Sequence, residues 1–125
     1  MEDLLLPKNA IQIIRGTSKV LQVTVVDAFD KPINITGAAI IMTVKDTVDN
    51  TKVVFQKTTA DLTQVQLVDP RAGLVRIFIM PSDTQKLDIK DYVFDIWAIL
   101  PSGDRYAVVP PSIFSLQAGV TQWPL

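Results

Sequence analysis

The sequence predicts an all-β protein in which two antiparallel sheets, with about seven to nine short strands in all, pack face to face. Apolar residues alternate with period two over most of the chain, and many of them are β-branched. Turn-forming residues separate these segments at the spacing typical of sandwiches. We find no segment with the periodicity of an amphipathic helix. Patterning alone leaves a closed barrel as an alternative.

The first half of the chain contains three predicted strands. Ile11–Ile14 is short, and residues 19–27 follow with apolar and polar side chains on alternate faces. Asp, Pro, Asn and Gly residues between positions 27 and 37 then predict a turn. Ala39–Lys45 is the third strand, with apolar side chains on both of its faces.

The second half contains further short strands and one helical turn. Strands are predicted at residues 52–57, 65–68, 74–80, 92–100 and 105–109. We expect Pro110-Pro111 to interrupt the last strand, which resumes at residues 113–116, because prolines within a strand belong at an edge or a bulge. Pro81 can begin a helical turn, with Ser82 as a candidate cap.

Tyr92, at the entrance of the longest predicted strand, favours one kind of sandwich. In the segment "LDIKDY", Leu87 lies five residues before Tyr92. This spacing is typical of the tyrosine corner of immunoglobulin-like domains, where the phenol hydroxyl bonds to upstream backbone. We therefore expect an immunoglobulin-like antiparallel β-sandwich. The alternative interpretation of Tyr92 is an ordinary half-buried strand aromatic.

The 125 residues suit one domain, since a single core usually organises roughly 100 to 200 residues. There is no internal repeat and no low-complexity linker. We expect an N-terminal arm at residues 1–10, a β-sandwich domain at residues 11–117 and a C-terminal arm at residues 118–125. The arm sequences "MEDLLLPKN" and "AGVTQWPL" are apolar segments flanked by turn-formers, unlike the polar ends expected of a free monomer.

The composition argues against several classes of function. The chain has no cysteine and no histidine, which removes thiolate chemistry, the commonest general base and the commonest metal ligand. Its net charge is −1 and its basic residues are scattered singly, so we expect no nucleic-acid partner. No apolar run approaches the ~18 residues of a membrane span, and "LLL" at 4–6 is too short for a signal peptide. We expect a non-enzymatic protein without catalytic residues, a cofactor or a membrane partner.

Two other functions are open to a non-enzymatic protein of this composition, a metal site and a sugar-binding site. Asp27, Asp30, Asp46 and Asp49 lie in or beside two turns and could supply oxygen ligands to calcium. Aspartate is also a common turn residue, which accounts for all four positions without a metal.

Tryptophan supplies the sugar alternative. Trp97 or Trp123 could stack against a sugar in a small carbohydrate-binding β-sandwich module. The neighbours of Trp97 along the chain are apolar, which favours a packing role instead.

The strongest functional signal is an excess of apolar residues on the second face of several strands. A half-exposed antiparallel strand is expected to be polar on its outer face. Instead, residues 39–45, 74–80 and 92–100 carry apolar side chains on both faces. Covering both faces requires a layer on each side, which the arms of this chain or a neighbouring subunit would supply; a tight internal core with curled-in ends is the alternative. We predict a protein interface formed by Leu4, Leu5, Leu6, Ile41, Trp97, Ile99, Trp123 and Leu125.

Two long segments, which together cover most of the chain, carry a family resemblance. Residues 15–46 read "RGTSKVLQVTVVDAFDKPINITGAAIIMTVKD", a glycine turn, a strand, the turn "KPINITG" and a second strand. Residues 69–116 read "DPRAGLVRIFIMPSDTQKLDIKDYVFDIWAILPSGDRYAVVPPSIFSL". Together they resemble the N-terminal domain of the phage baseplate upper protein and related immunoglobulin-like virion proteins of tailed bacteriophages. The chain departs from the family pattern at Thr17-Ser18 and at Asp30-Lys31.

The resemblance implies a structural protein of a tailed-phage virion, such as a decoration, neck, tail or baseplate component. Members of the family use this domain to attach a fibre or another protein to the particle, without catalysis. The fibre or receptor-binding region that usually follows does not follow "QWPL" in this sequence, so we expect a stand-alone virion component. We expect its partners to be other virion proteins and further copies of itself. The expected location is the virion, after synthesis in the host bacterial cytoplasm.

Overall fold

Eight strands and two short helical turns make up the part of the chain that this computed structural model describes, residues 9–121. In chain order the strands are β1 (Ile11–Ile14), β2 (Lys19–Thr24), β3 (Ala39–Lys45), β4 (Val53–Thr58), β5 (Val65–Asp69), β6 (Leu74–Ile79), β7 (Asp91–Ile99) and β8 (Arg105–Gln117). The turns are a 3-10 turn at Pro70–Ala72 and helix α1 at Pro81–Thr84. Neither turn is long or apolar enough to span a membrane. The predicted interface residues outside this described range are Leu4, Leu5, Leu6, Trp123 and Leu125.

The strands form two sheets in the arrangement of an immunoglobulin-like sandwich. One sheet has the order β1-β8-β7-β3-β4 and the other has the order β2-β6-β5. β1 runs parallel to β8, and the other neighbouring pairs are antiparallel. The division that places β3, β7 and β8 in one sheet and β2, β5 and β6 in the other is that of the immunoglobulin fold. No ladder joins the two sheets within residues 9–121, so these residues form a sandwich, and the predicted fold class is confirmed.

The core lies between the sheets and is built from alternate residues of the strands. On β3, Ile40, Met42 and Val44 are fully buried, while the residues between them are only partly covered. From the other sheet, Val75 and Ile77 are also fully buried. This pattern arises because successive side chains of a strand point to opposite faces. Burial of each such side chain stabilises the folded state by roughly 1.5–3 kcal/mol relative to leaving it exposed to water.

Phe114 connects three strands within this core. Its ring packs edge-to-face against Phe55, with centroids 5.7 Å apart, and against Phe94, with centroids 6.4 Å apart. Such pairs contribute about 0.5–1.5 kcal/mol beyond their buried area. The three rings therefore tie β4 and β7 to β8.

Tyr92 forms a tyrosine corner. Its Oη donates a hydrogen bond of 2.8 Å to the carbonyl oxygen of Asp88, and the residue is buried. The preceding connection contains α1, which Asp83 caps by accepting the N–H of Met80 at 2.6 Å. The prediction that Ser82 is the cap is therefore wrong, because a carboxylate at the third position of the turn reaches back to the N–H before it.

β8 runs without a break from Arg105 to Gln117, so the expected interruption at Pro110-Pro111 is wrong. The register of β7 against β8 skips at this point, and both prolines lie opposite the single residue Asp95. This is a β-bulge. Prolines are accommodated there because an unpaired bulge position requires no ladder N–H.

Candidate interaction surface

The outer face of the five-stranded sheet carries a contiguous group of apolar side chains. Ile41 of β3 lies directly opposite Trp97 of β7, which in turn lies opposite Ala107 of β8. Two residues further along, Ala39 lies opposite Ile99. Directly opposite residues on one face of a sheet have Cβ atoms about 4.5–5.5 Å apart, so these side chains adjoin one another. We call Ala39, Ile41, Trp97, Ile99 and Ala107 the outer patch.

The outer patch exists because side chains along β3 and β7 point alternately to the two faces of the sheet. The other faces of these strands are filled by the core residues Ile40, Met42, Ile96 and Ala98, none of them more than 1% exposed. Because the core takes one face, the side chains between these residues point outwards. The same alternation therefore specifies both the core and the outer patch.

Trp97 lies at the centre of the outer patch and is 38% exposed. Its indole Nε1 donates a hydrogen bond of 3.1 Å to the carboxylate of Asp95, two residues earlier on the same strand face. Ile41 and Ile99 are half-buried beside it. A tryptophan whose polar atom is satisfied and whose ring is partly exposed is the type of side chain that anchors protein interfaces.

Polar residues border the outer patch on one side. Gln56 Nε2 donates to Thr43 Oγ1 at 2.9 Å, and Thr43 lies opposite Asp95. Next to them is a groove of about 240 Å³, whose lining includes Thr43, Lys45, Val93, Asp95, Trp97 and Pro111. Since the groove combines an indole, a carboxylate, a hydroxyl and an ammonium group, it can make directional as well as apolar contacts.

The corresponding face of the three-stranded sheet is polar at its centre. Gln22, Arg76 and Gln66 lie side by side across β2, β6 and β5. Arg76 Nε donates to Gln22 Oε1 at 3.1 Å. Val20 and Phe78 lie together towards one end of this face. An apolar centre is therefore a property of the five-stranded sheet alone.

The shifted pKa values near the outer patch have structural causes. Lys90 and Asp46 form an exposed ion pair where β7 begins and β3 ends. The hydrogen bond to Asp46 raises the pKa of Lys90. Burial raises the pKa of the Tyr92 hydroxyl. Both shifts move the groups further from neutral pH, so neither creates an acid or base that titrates under physiological conditions.

The aspartates considered as calcium ligands make other contacts. Asp27 Oδ1 accepts the backbone N–H groups of Phe29 at 2.8 Å and of Lys31 at 3.0 Å, which closes the turn after β2. Asp46 is paired with Lys90. Over residues 9–121, no three His, Cys, Asp or Glu side chains are grouped so that they could hold a metal ion. The described residues thus give the calcium alternative no support.

Three predicted interface residues, Ile41, Trp97 and Ile99, share one face. Ala39 and Ala107 lie on the same face. Neither alanine belongs to the interface predicted from the sequence. The alternation within β3 could have identified Ala39. Ala107 could not be found in this way, because the register of β8 against β7 shifts twice and changes the phase of alternation.

No protein-family model matches the chain, and no curated protein matches it. The fold and the surface therefore define the molecule at the level of a class. It is an immunoglobulin-like β-sandwich with an apolar patch at the centre of one outer face.

Proposed function

We propose that this chain is a non-enzymatic structural protein of a tailed-phage virion and docks on neighbouring subunits through the outer patch. The observation that supports docking is the position of Trp97, which is partly exposed at the centre of an apolar group on the outer face of the larger sheet. The virion setting comes from the family resemblance of residues 15–46 and 69–116. Its partners are other virion proteins or further copies of this chain.

The surroundings of the outer patch also support docking. Protein interfaces commonly have an apolar centre with aromatic anchors and a polar rim. Here the apolar centre is bordered by Thr43 and Asp95 on one side, and Arg105 lies opposite Ile99 on the other. The arm residues predicted from the sequence are a separate part of the proposal and lie outside residues 9–121.

The test is the mass of the protein in solution, measured by light scattering over a concentration series. We expect the wild type to associate, and Trp97→Asp to fold normally but associate less, because a carboxylate in a dehydrated interface is costly. Gln22→Asp places the same group on the polar face of the other sheet and is the matched control. If Trp97→Asp unfolds, Trp97 is a core residue and its placement in an interface is wrong.

A wild type that is monomeric at every concentration would remove self-association from the proposal. Docking on other virion proteins would then be tested by co-expression with the neighbouring structural proteins, again with Trp97→Asp and Gln22→Asp. Equal incorporation of the two variants into particles would contradict docking through the outer patch.

The groove beside Trp97 favours a second candidate function, that of a small carbohydrate-binding module. Its indole, carboxylate and ammonium groups are of the kinds that stack on and hydrogen-bond to a sugar. A glycan array followed by a tryptophan fluorescence titration would test it. A saturable response to one sugar that Trp97→Ala abolishes would favour this function, and the absence of any response would remove it.

A further inference from the structure

Phe29 projects from the tip of the turn after β2. Its side chain is 82% exposed, more than any other aromatic side chain among residues 9–121. A bridge between Val26 and Pro32 closes the turn, and we call residues 26–32 the Phe29 loop. Since Asp27 and Lys31 supply hydrogen bonds that shape this loop, its conformation does not require an aromatic residue at position 29.

The backbone on both sides of Phe29 is restrained. The Asp27 N–H donates to the carbonyl oxygen of Lys31 at 2.9 Å, and the Asp30 N–H donates to the carbonyl oxygen of Asp27 at 3.0 Å. Asp30 has a φ of 60°, in the left-handed region that aspartate enters more readily than most residues. A ring carried on a closed loop gives up less conformational freedom when it binds than one on an open chain.

The Phe29 loop and the groove beside Trp97 lie towards opposite ends of β3. Between the loop and the start of β3, Ile35 is fully buried and its carbonyl oxygen accepts the N–H of Ala38 at 2.9 Å. The lining of the groove includes Lys45, the last residue of β3. The seven residues of β3 span roughly 20 Å. The loop therefore does not fill the groove of its own chain.

The groove beside Trp97 is large enough to receive an aromatic ring. Its volume is about 240 Å³, and a cavity of roughly 150 Å³ is enough to bind benzene. Trp97, Val48 and Val93 supply apolar parts of its lining. Aromatic rings pack well against one another edge-to-face or offset, so the indole offers a contact for a second ring.

The charges of the loop and of the groove are complementary. The loop carries Asp30 and Lys31 next to its tip. The lining of the groove includes Lys45 and Asp95. Lys45 lies opposite Val93, two residues from Asp95, so the two charged residues are diagonal neighbours about 7–8 Å apart. None of the four charged groups is in an ion pair within residues 9–121, so each can pair with a group of opposite charge on a partner.

We propose that the Phe29 loop of one copy of this chain inserts into the groove beside Trp97 of a second copy. The ring packs against the indole, and the two charges of the loop pair with Lys45 and Asp95. Because each copy carries the loop towards one end of β3 and the groove towards the other, copies add head to tail and form a ring or a filament.

This inference rests on the proposed docking through the outer patch, because Trp97 belongs to both the patch and the groove. It names the partner as a second copy and the contacting segment as the Phe29 loop. It differs from a symmetric interface in which the outer patches of two copies face each other, since that interface would not involve the loop.

The first test compares Phe29→Asp with the wild type by sedimentation velocity over a concentration series. We expect association to weaken at least about tenfold, because the anchor is lost and a charge would enter a dehydrated groove. Leu62→Asp, at a 67% exposed site in another turn, is the matched control and should associate like the wild type. Undiminished association of Phe29→Asp, with Trp97→Asp still defective, would overturn the inference and leave docking through the outer patch intact.

The second test mixes Phe29→Asp, whose groove is intact, with Trp97→Asp, whose loop is intact. Each variant alone should be monomeric, whereas the mixture should form a one-to-one dimer that cannot grow, because it contains only one intact loop and groove pair. Lys45→Glu is a second groove variant that leaves Trp97 in place and should give the same dimer with Phe29→Asp. A mixture that stays monomeric would overturn the inference.

A wild type that is monomeric at every concentration would also overturn the inference. The proposed function would then depend on co-expression with the other virion proteins, so the failure of one is distinguishable from the failure of the other.

Discussion

Trp97 and Asp95 point to the same outer face of β7, and the indole Nε1 donates a hydrogen bond of 3.1 Å to the Asp95 carboxylate. Asp95 also lies opposite the two prolines of the β8 bulge. This hydrogen bond restrains the indole, so under the proposed docking the ring would lose less conformational freedom on binding than an unrestrained side chain.

Asp95→Ala is expected to release the Trp97 ring without unfolding the protein. The pair is solvent-exposed, so the free energy of unfolding should change by no more than about 0.5 kcal/mol. Time-resolved fluorescence anisotropy, in a Trp123→Phe background that isolates Trp97, should show faster ring motion. An unchanged anisotropy decay would mean that packing alone holds the ring.

Tyr92→Phe removes the hydrogen bond that forms the tyrosine corner. We expect the free energy of unfolding, measured in urea, to fall by about 0.5–1.5 kcal/mol, since the Asp88 carbonyl loses its donor. Tyr106→Phe is the matched control, because its side chain also contacts the core while no hydrogen bond from its hydroxyl is seen among residues 9–121. Equal losses in the two variants would show that the corner contact contributes nothing specific.

Tyr92 should also make the protein less stable at alkaline pH. Burial raises the pKa of Tyr92 in the folded state above its ordinary value of about 10. As the pH rises, the Tyr92 hydroxyl loses its proton in the unfolded chain before it does so in the folded protein, so the unfolded chain binds fewer protons above about pH 10. The contribution of Tyr92 to the free energy of unfolding is therefore fully present below that pH and is lost as the pH rises through the folded-state pKa. Titration of phenolate absorbance should show an ionisation above the ordinary range of tyrosine. Tyr92→Phe should abolish this ionisation, and its persistence in the variant would contradict the prediction.

Lys57 and Asp83 form an ion pair of 2.6 Å in which the lysine is only 4% exposed. Asp83→Asn keeps an oxygen that can cap α1 but removes the charge, which leaves Lys57 buried without its counter-ion. We expect the free energy of unfolding to fall by on the order of 3 kcal/mol. Lys57→Met combined with Asp83→Asn should recover at least half of this loss, because no unpaired charge remains buried. A double-mutant cycle in urea measures the coupling, and simple additivity of the two changes would show that the pair does not interact.

Gly73 and Gly103 both adopt positive φ angles, of 69° and 92°, but only Gly73 is enclosed. A Cβ at Gly73 would lie 2.6 Å from the carbonyl oxygen of Val25 and 2.8 Å from that of Ile33, whereas Gly103 has open space around it. Gly103→Ala should cost about 1–2 kcal/mol from the backbone conformation alone. Gly73→Ala should cost more than that, because backbone must also move. Thermal unfolding of both variants checks the order, and equal losses would contradict the close approach.

Local patterns were sufficient to predict much of the fold. Ile11–Ile14 and Ala39–Lys45 have the bounds that alternation and turn residues predict. The spacing of Leu87 and Tyr92 indicated a corner whose hydrogen bond to Asp88 is present. Ile41, Trp97 and Ile99 were separated from the core residues of their strands because alternation divides the residues of a strand between two faces. These features depend on residues within a few positions of each other, so the local sequence pattern is enough to predict them.

The tertiary structure decided the features that depend on residues far apart in the chain. Lys57 occupies an inner position next to Met42 of the neighbouring strand, and its charge is tolerated there because Asp83 arrives from the connection between β6 and β7. Ala107 joins the outer patch only through the shifted register of β8 against β7. Alternation sorts residues onto two faces, whereas burial depends on which layer covers each face. The sequence by itself therefore determined the strands and their two faces, and only the packing of the sheets decided which face became the core and which became the surface.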